Sequence, residues 1–250
     1  MQDHQLLRYS RHILLPNFDV AGQRALLNAK VLVMGAGGLG SASIQYLAAA
    51  GIGELFIADF DVVDETNLQR QVIHSLAKVG QLKTESAKAW ISQNNPDVKV
   101  TCINEKMDAQ ALTQWIEKAD LVLDGTDNFA SRFLTNQVCV ATGTPLVSGA
   151  AIGFEGQVTV FIPRDDDSPC YRCLYQDDQP QEMRCAENGV IGPIVGMIGT
   201  TQAMEAIKVL AKVGQPLKGR LLILDALTMD WRTMKFKRNA QCSVCGHPEA

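Results

Sequence analysis

The hexapeptide Gly35-Ala36-Gly37-Gly38-Leu39-Gly40 constrains this chain more than any other stretch. It follows an apolar run, residues 31–34, and precedes a run of small residues, 38–50, that reads as a helix. A strand that turns through glycines into a helix leaves backbone N–H groups free at the helix N-terminus, and the missing side chains let a phosphate approach. Asp59 ends the next strand-like run, 54–60, well placed to accept a hydrogen bond from a ribose hydroxyl. Taken alone, the motif suits a dinucleotide or ATP, or merely a tight turn that packs helix on strand.

The rest of the chain continues the alternation. Residues 5–15 and 21–28 have the spacing of short amphipathic helices. Helical runs at 84–94 and 109–118 alternate with strand-like runs at 98–103, 121–124 and 145–149, with a further helix between the last two. This order predicts an α/β fold of Rossmann type with a mostly parallel sheet. After Gly156 the runs 157–163, 220–226 and 231–237 read as strands that complete a mixed sheet, with a polar loop at 164–188 and a helix from about 194 to 212. Without a linker or repeat, the 250 residues read as one domain: N-terminal helices in 1–28, a nucleotide-binding half in 29–150 and a second half in 151–250.

Composition narrows the class. Hydrophobic residues make up 46% and charged residues 20%, and the net charge is −4 with no Lys/Arg block, which argues against nucleic-acid binding. Residues 1–10 carry no apolar signal segment, and the most apolar stretch, 189–199, contains a proline and is too short to span a bilayer, so a cytoplasmic location is expected. Seven cysteines include two Cys-x-x-Cys pairs, Cys170/Cys173 and Cys242/Cys245. In a reducing compartment these read as one closed tetrahedral Zn²⁺ site, structural in role, that clips the C-terminal tail onto the body. The competing reading, a redox pair, lacks the βαβ context it normally needs. Cys102 and Cys139 fall in apolar patterns and read as core filler, whereas Cys185 lies in a polar loop beside Arg184, where a cation lowers a thiol's pKa. The four histidines have no ligand or catalytic spacing and read as surface or supporting residues.

The segment after Asp59 departs from a hydride-transfer enzyme. Asp61, Asp64, Asn67, Arg70, Gln71 and Lys83 crowd one polar stretch, and Arg70 and Lys83 supply two cations for a polyphosphate. Asp124 and Asp127 follow a strand's carboxyl end, where open α/β sheets bind ligands and a carboxylate suits Mg²⁺. The bland alternative makes Asp127 a helix N-cap with Asn128 in the first turn. The glycine loop, Asp59-Phe60-Asp61, Asn67-Leu68-Gln69-Arg70-Gln71, Lys83, Thr126-Asp127-Asn128 and the two cysteine pairs together resemble the HesA/MoeB/ThiF family, bacterial relatives of ubiquitin-activating enzymes. The resemblance runs from about Leu6 to Gly246.

That resemblance implies an enzyme that uses Mg·ATP to adenylate the terminal glycine carboxylate of a small ubiquitin-like sulfur-carrier protein ending in Gly-Gly. It implies that Gly35, Gly37, Gly38 and Gly40 cradle the nucleotide and that Asp59 binds ribose. Arg70 and Lys83 would hold phosphates, with Asp61, Asn67, Gln71 and Asn128 shaping the pocket, and Asp127 would bind Mg²⁺. Arg11 matches an arginine that such homodimers insert into the partner's ATP site, and Cys185 matches a loop cysteine that in some members reacts with the activated carrier. Residues 14–16, 19–23 and 148–152 look more like the molybdopterin-synthase branch, while the loop before Cys185 resembles the thiamine branch as much. Gly125 stands where many relatives have Cys, and Leu82 where a proline precedes the lysine. Loop 164–188 would cover the carrier's tail, and the small residues of the 192–212 helix suit either a dimer interface or a buried helix. A nicotinamide-dependent dehydrogenase and a non-catalytic docking scaffold are the rival classes.

Overall fold

The computed structural model describes residues 1–175 and 189–246. Eight strands form one sheet in the spatial order β3-β2-β1-β4-β5-β6-β7-β8. β1 (Lys30–Met34), β2 (Glu54–Ala58), β3 (Lys99–Ile103), β4 (Leu121–Asp124) and β5 (Leu146–Ile152) run parallel. β6 (Glu155–Phe161), β7 (Arg220–Asp225) and β8 (Asp230–Lys235) continue it antiparallel, as the sequence predicts. Strand order reverses between β1 and β4, which opens a crevice at their carboxyl ends.

Both faces of the central strands are covered, which explains why β1, β2 and β4 read as unbroken apolar runs. Val31, Val33, Leu55, Ile57, Leu121 and Leu123 face one core, together with Ile44 and Leu47 of α4 (Gly38–Ala50) and Ile91 of α5 (Lys83–Asn94). Leu32, Phe56 and Val122 face the other, against Leu112 of α6 (Ala109–Ile116) and Val138 and Cys139 of α7 (Phe129–Thr142). The two sets alternate residue by residue along each strand, as the pleat requires.

Three boundaries differ from the sequence reading. The expected 5–15 helix is two helices, α1 (Asp3–Arg8) and α2 (Ser10–Ile13), ahead of α3 (Asp19–Asn28). The break falls at Tyr9, which is pulled inward to 2% exposure, where its hydroxyl accepts a 2.9 Å bond from Asn95. The polar loop after β6 contains a short helix, α8 (Tyr171–Leu174). The last helix, α9 (Gly192–Ala211), is 20 residues long, because Pro193 sits in its first turn, where a missing N–H costs nothing. By length and composition alone this helix is long and apolar enough to cross a membrane. It instead covers the sheet, with Ile194, Val195, Ile198, Ala203 and Ala206 in the core.

The small residues of α9 serve internal packing at Gly199, where an added methyl would overlap the Leu39 carbonyl of α4, while Gly196 has nothing within 4 Å. The two positions therefore respond oppositely. Gly199→Ala is expected to lower unfolding free energy in urea by about 2 kcal/mol or more, since the clash is with backbone. Gly196→Ala is expected to raise it by roughly 0.5–1 kcal/mol through helix propensity.

Candidate active site and metal centre

The crevice is built where the β1 and β4 turns touch. Gly35 takes a φ of +94° and donates to Ala58 O on β2, while Gly125 donates to Met34 O on β1. A Cβ on Gly35 would lie 3.3 Å from Gly125 O, and one on Gly40 would overlap Gly35 O, so backbone approach requires both glycines. Gly38 presses against Val195 of α9. Gly37 alone faces open space, its nearest neighbour beyond an added Cβ being Gln71 Nε2 at 3.6 Å. It also opens α4 without a capping side chain, which leaves the first-turn N–H groups without a side-chain acceptor. The space before Gly37 is therefore open, and an anion could approach the first-turn N–H groups there.

Asp59, at the end of β2, ties the cradle down: Ala36 N donates to Oδ2 at 2.8 Å and Asp61 N to Oδ1 at 2.9 Å. A carboxylate has about four acceptor positions, so capacity remains for a hydroxyl. Lys83 opens α5 with its side chain 6% exposed residue-wide, and its ammonium pairs with Asp61 at 2.8 Å. Asp61 therefore acts on the site by aiming Lys83. Arg70 is aimed likewise: Nη2 donates to Asn67 Oδ1 at 2.8 Å. Gln71 is 4% exposed, and its Oε1 accepts no hydrogen bond among the described residues. Behind the loop, buried His74 bridges Ala36 O (3.0 Å) and the Ser86 hydroxyl (2.9 Å) of α5. Since the carbonyl can only accept, Nε2 carries the proton and Nδ1 accepts from Ser86. Burial holds the His74 pKa below its usual 6.5. The structural weight of this residue has no sequence signal, because 65–82 has neither helical nor strand periodicity.

On the β4 side Asp124 is buried, and its Oδ1 accepts from Thr126 N and Oγ1 at 2.9 and 2.7 Å. The helix α7 is capped by Asn128, whose Oδ1 accepts from Ser131 N at 2.9 Å. The N-cap reading of Asp127 is thereby corrected. Asp127 is exposed, one residue before the cap, and among the described residues its carboxylate accepts only a long 3.4 Å bond from Asn128 Nδ2. Arg11 lies exposed on α2 and makes no hydrogen bond to any of these residues.

The two cysteine pairs meet. Cys170 Sγ lies 4.0 Å from Cys173 Sγ and 3.7 Å from Cys242 Sγ, and Cys173 Sγ lies 3.4 Å from Cys245 Sγ. All four sulfurs fall within 4.8 Å of one another. Tetrahedral Zn–S bonds of about 2.3 Å imply sulfur separations near 3.8 Å, so the set fits one four-coordinate metal. Asn239 N donates to Cys173 Sγ at 3.4 Å, and Arg238 holds the tail by donating to Asp166 O and Cys245 O. Cys139 is buried, and burial pushes the half-buried Cys102 up to about 11, so both are inert as read from sequence. Cys185 and Arg184 lie outside the described residues.

The fold and this crevice define a nucleotide-binding α/β protein with a tetrathiolate clip. The ThiF family matches residues 9–244. The chain is 50% identical over 246 residues to a molybdopterin-synthase adenylyltransferase of Salmonella typhimurium, covering 98% of each. It is 42% identical to the sulfur carrier protein ThiS adenylyltransferase of Escherichia coli, covering 100% of this chain and 99% of that one. Among solved structures, E. coli MccB with ATP superposes with a TM-score of 0.85 at 25% identity, over 98% of this chain and 75% of that chain. The chain belongs to the ThiF family. Membership sets aside the nicotinamide reading of the glycine loop.

Two outcomes follow from the geometry. Because the folded-state pKa of His74 lies below the unfolded value, its contribution is full above about pH 6.5 and is lost as pH falls through the folded value. The urea midpoint should therefore drop on acidification from neutral pH, and His74→Gln should flatten that drop. Titration with a mercurial should release one metal ion per chain, and a chelator should lower the melting temperature, the more so at lower pH, where protons compete for thiolate. A metal-free chain with an unchanged melting temperature would contradict the clip.

Proposed function

We propose that this enzyme is an ATP- and Mg²⁺-dependent adenylyltransferase that activates the C-terminal glycine carboxylate of a small ubiquitin-like sulfur carrier ending in Gly-Gly, for molybdenum cofactor synthesis. What supports this reading is that the segments following β1, β2 and β4 carry, in turn, the open Gly37 loop, two cations held by neighbouring side chains, and an exposed carboxylate with one long contact among the described residues. The full-length similarity to molybdopterin-synthase adenylyltransferases supports the carrier assignment.

Adenylation is positioning plus charge neutralisation. A carboxylate oxygen of the carrier attacks the α-phosphorus of ATP, an O–P bond forms, and the bond to the bridging oxygen breaks with pyrophosphate leaving. The nucleophile is already an anion, so no base is needed. In this reading the N–H groups at Gly37 and Gly38 receive phosphate oxygens, Asp59 takes a ribose hydroxyl, and Arg70 and Lys83 stabilise charge building on pyrophosphate. Asn67 and Asp61 keep those two cations extended, and Gln71 Oε1 offers a buried acceptor. Asp127 would hold Mg²⁺, which neutralises the phosphates when bound, and Asn128 anchors the turn. Zn²⁺ in the tetrathiolate site would be structural, because four thiolates leave no open position.

We further propose a homodimer in which Arg11 completes the partner's site. Its exposure, with Leu6, Leu7, Leu14 and Leu15 also exposed on the same segment, supports this. Reduced thiols in the clip agree with a cytoplasmic location. Cys185 is assigned a reactive role towards the activated carrier. The thiamine-pathway carrier is the second reading, supported by the 42% full-length relative.

Carrier-dependent exchange of labelled pyrophosphate into ATP tests the proposal. Exchange is expected with a Gly-Gly-ended molybdopterin-synthase carrier and to fall by about 10²-fold or more in Asp127→Ala and Arg70→Ala with metal content intact. Absence of exchange with every Gly-Gly-ended carrier sinks the adenylation reading; exchange only with the thiamine carrier moves the enzyme to that pathway.

A further inference from the structure

Asp127 makes almost no contact of its own, so something else must fix where its carboxylate points. The peptide from which it springs is gripped from both ends. On one side Asp124 Oδ1 accepts from the Thr126 N–H and hydroxyl. On the other, Arg132 of α7 donates twice to the Thr126 carbonyl, from Nε at 3.0 Å and from Nη2 at 2.5 Å. That carbonyl belongs to the Thr126–Asp127 peptide plane, and holding it leaves Asp127 little freedom beyond its own side-chain rotamers.

The guanidinium that does this is itself packed into the side of the sheet opposite α4. The Asp124 carboxylate lies near enough to favour its charge, and Tyr171 and Tyr175 lie beside it. Tyr171 is 2% exposed, and its N–H donates to buried Asn136 Oδ1 of α7 at 2.8 Å. Phe133, beside Arg132, meets the Tyr171 ring edge-on at 5.3 Å. Tyr171 is also the residue immediately after Cys170, so α8 joins the tetrathiolate clip to the wall of this pocket. Arginine suits the role for a geometric reason. Its planar guanidinium turns two N–H groups, from Nε and Nη2, onto one carbonyl oxygen while its charge lies near Asp124, a geometry that the tetrahedral ammonium of lysine does not reproduce.

We propose that Arg132 is a positioning residue for Asp127: it clamps the Thr126 carbonyl so that the Asp127 carboxylate is presented at the β1/β4 crevice. The proposal rests on the reading of Asp127 as the metal-binding carboxylate and adds a residue that never touches nucleotide. It separates two jobs on α7, whose cap Asn128 fixes the helix start and whose first-turn Arg132 fixes the peptide before it.

The test measures Mn²⁺ binding to the full-length zinc-loaded protein with a saturating non-hydrolysable ATP analogue, from the free-Mn²⁺ signal in electron paramagnetic resonance. Arg132→Lys keeps the charge and loses the fork. It is expected to weaken Mn²⁺ binding by about tenfold, as for residues that orient a metal ligand, while the dissociation constant of the analogue without metal stays within about twofold. In pyrophosphate exchange the apparent KM for Mg²⁺ rises and that for the carrier does not. The double variant Asp124→Asn/Arg132→Met, which leaves no lone buried charge if the lysine variant folds poorly, is expected to behave likewise. Asp127→Asn is the control. Weakened Mn²⁺ binding in Asp127→Asn but wild-type binding in the Arg132 variants overturns the positioning role alone. Wild-type binding in Asp127→Asn overturns the underlying assignment of Asp127, and the proposal with it. Equal loss of metal, nucleotide and carrier binding in Arg132→Lys reduces Arg132 to a general stability residue and also overturns it.

Discussion

The site depends on two strand ends that approach more closely than side chains would allow. β1 and β4 are neighbours whose connections leave in opposite directions, and their turns meet at Gly35 and Gly125. Because Gly40 lets α4 start directly beneath Gly35, the helix N-terminus points into the same crevice. Asp59 then locks the loop from the β2 side. Without that close approach, Gly35 and Gly125 could not pack the β1 and β4 turns against each other.

Around that contact, charge is handled by pairs rather than by a general field. Lys83 is buried but answered by Asp61, Arg70 by the Asn67 carboxamide oxygen, and Arg132 by nearby Asp124. A net charge of −4 therefore says little about phosphate binding. Arg70 and Lys83 are each held by a partner that takes only part of their donor capacity, the arrangement that preorganised anion binding would require. His74 contributes by a different route, as a neutral bridge between the glycine loop and α5, the helix that carries Lys83.

The tetrathiolate clip sits on the other side of α7 and serves more than the tail. Its first pair holds α8 through Cys170 at the helix's N-cap and Cys173 within it; Tyr171 of α8 packs on Phe133 and Tyr175, just past the helix, on Phe129, while Arg238 ties the tail to Asp166 O. A metal bound there would add to the stability of α7 from behind while the crevice chemistry takes place in front. Of the seven cysteines, four form the clip, and Cys102 and Cys139 are packed and inert.

Much of this was legible in the linear chain because the signals are local: apolar runs bounded by glycine, carboxylates just past strand ends, and two Cys-x-x-Cys pairs whose chemistry admits few readings. Locality also limited it. Asn128, not Asp127, caps α7, and one residue of phase decides whether the Asp127 carboxylate stays free; adjacent polar residues offer no way to choose. Helix α9 was read within two residues of its bounds, but its burial against α4 was not. The strand order, the meeting of cysteines far apart in the chain, the burial of His74 and the grip of Arg132 on Thr126 all depend on contacts between distant segments. Residue types and their spacing were enough to decide the chemistry available to this protein; only the packed sheet decided which groups face one another, because a contact across the fold costs chain entropy that no local pattern records.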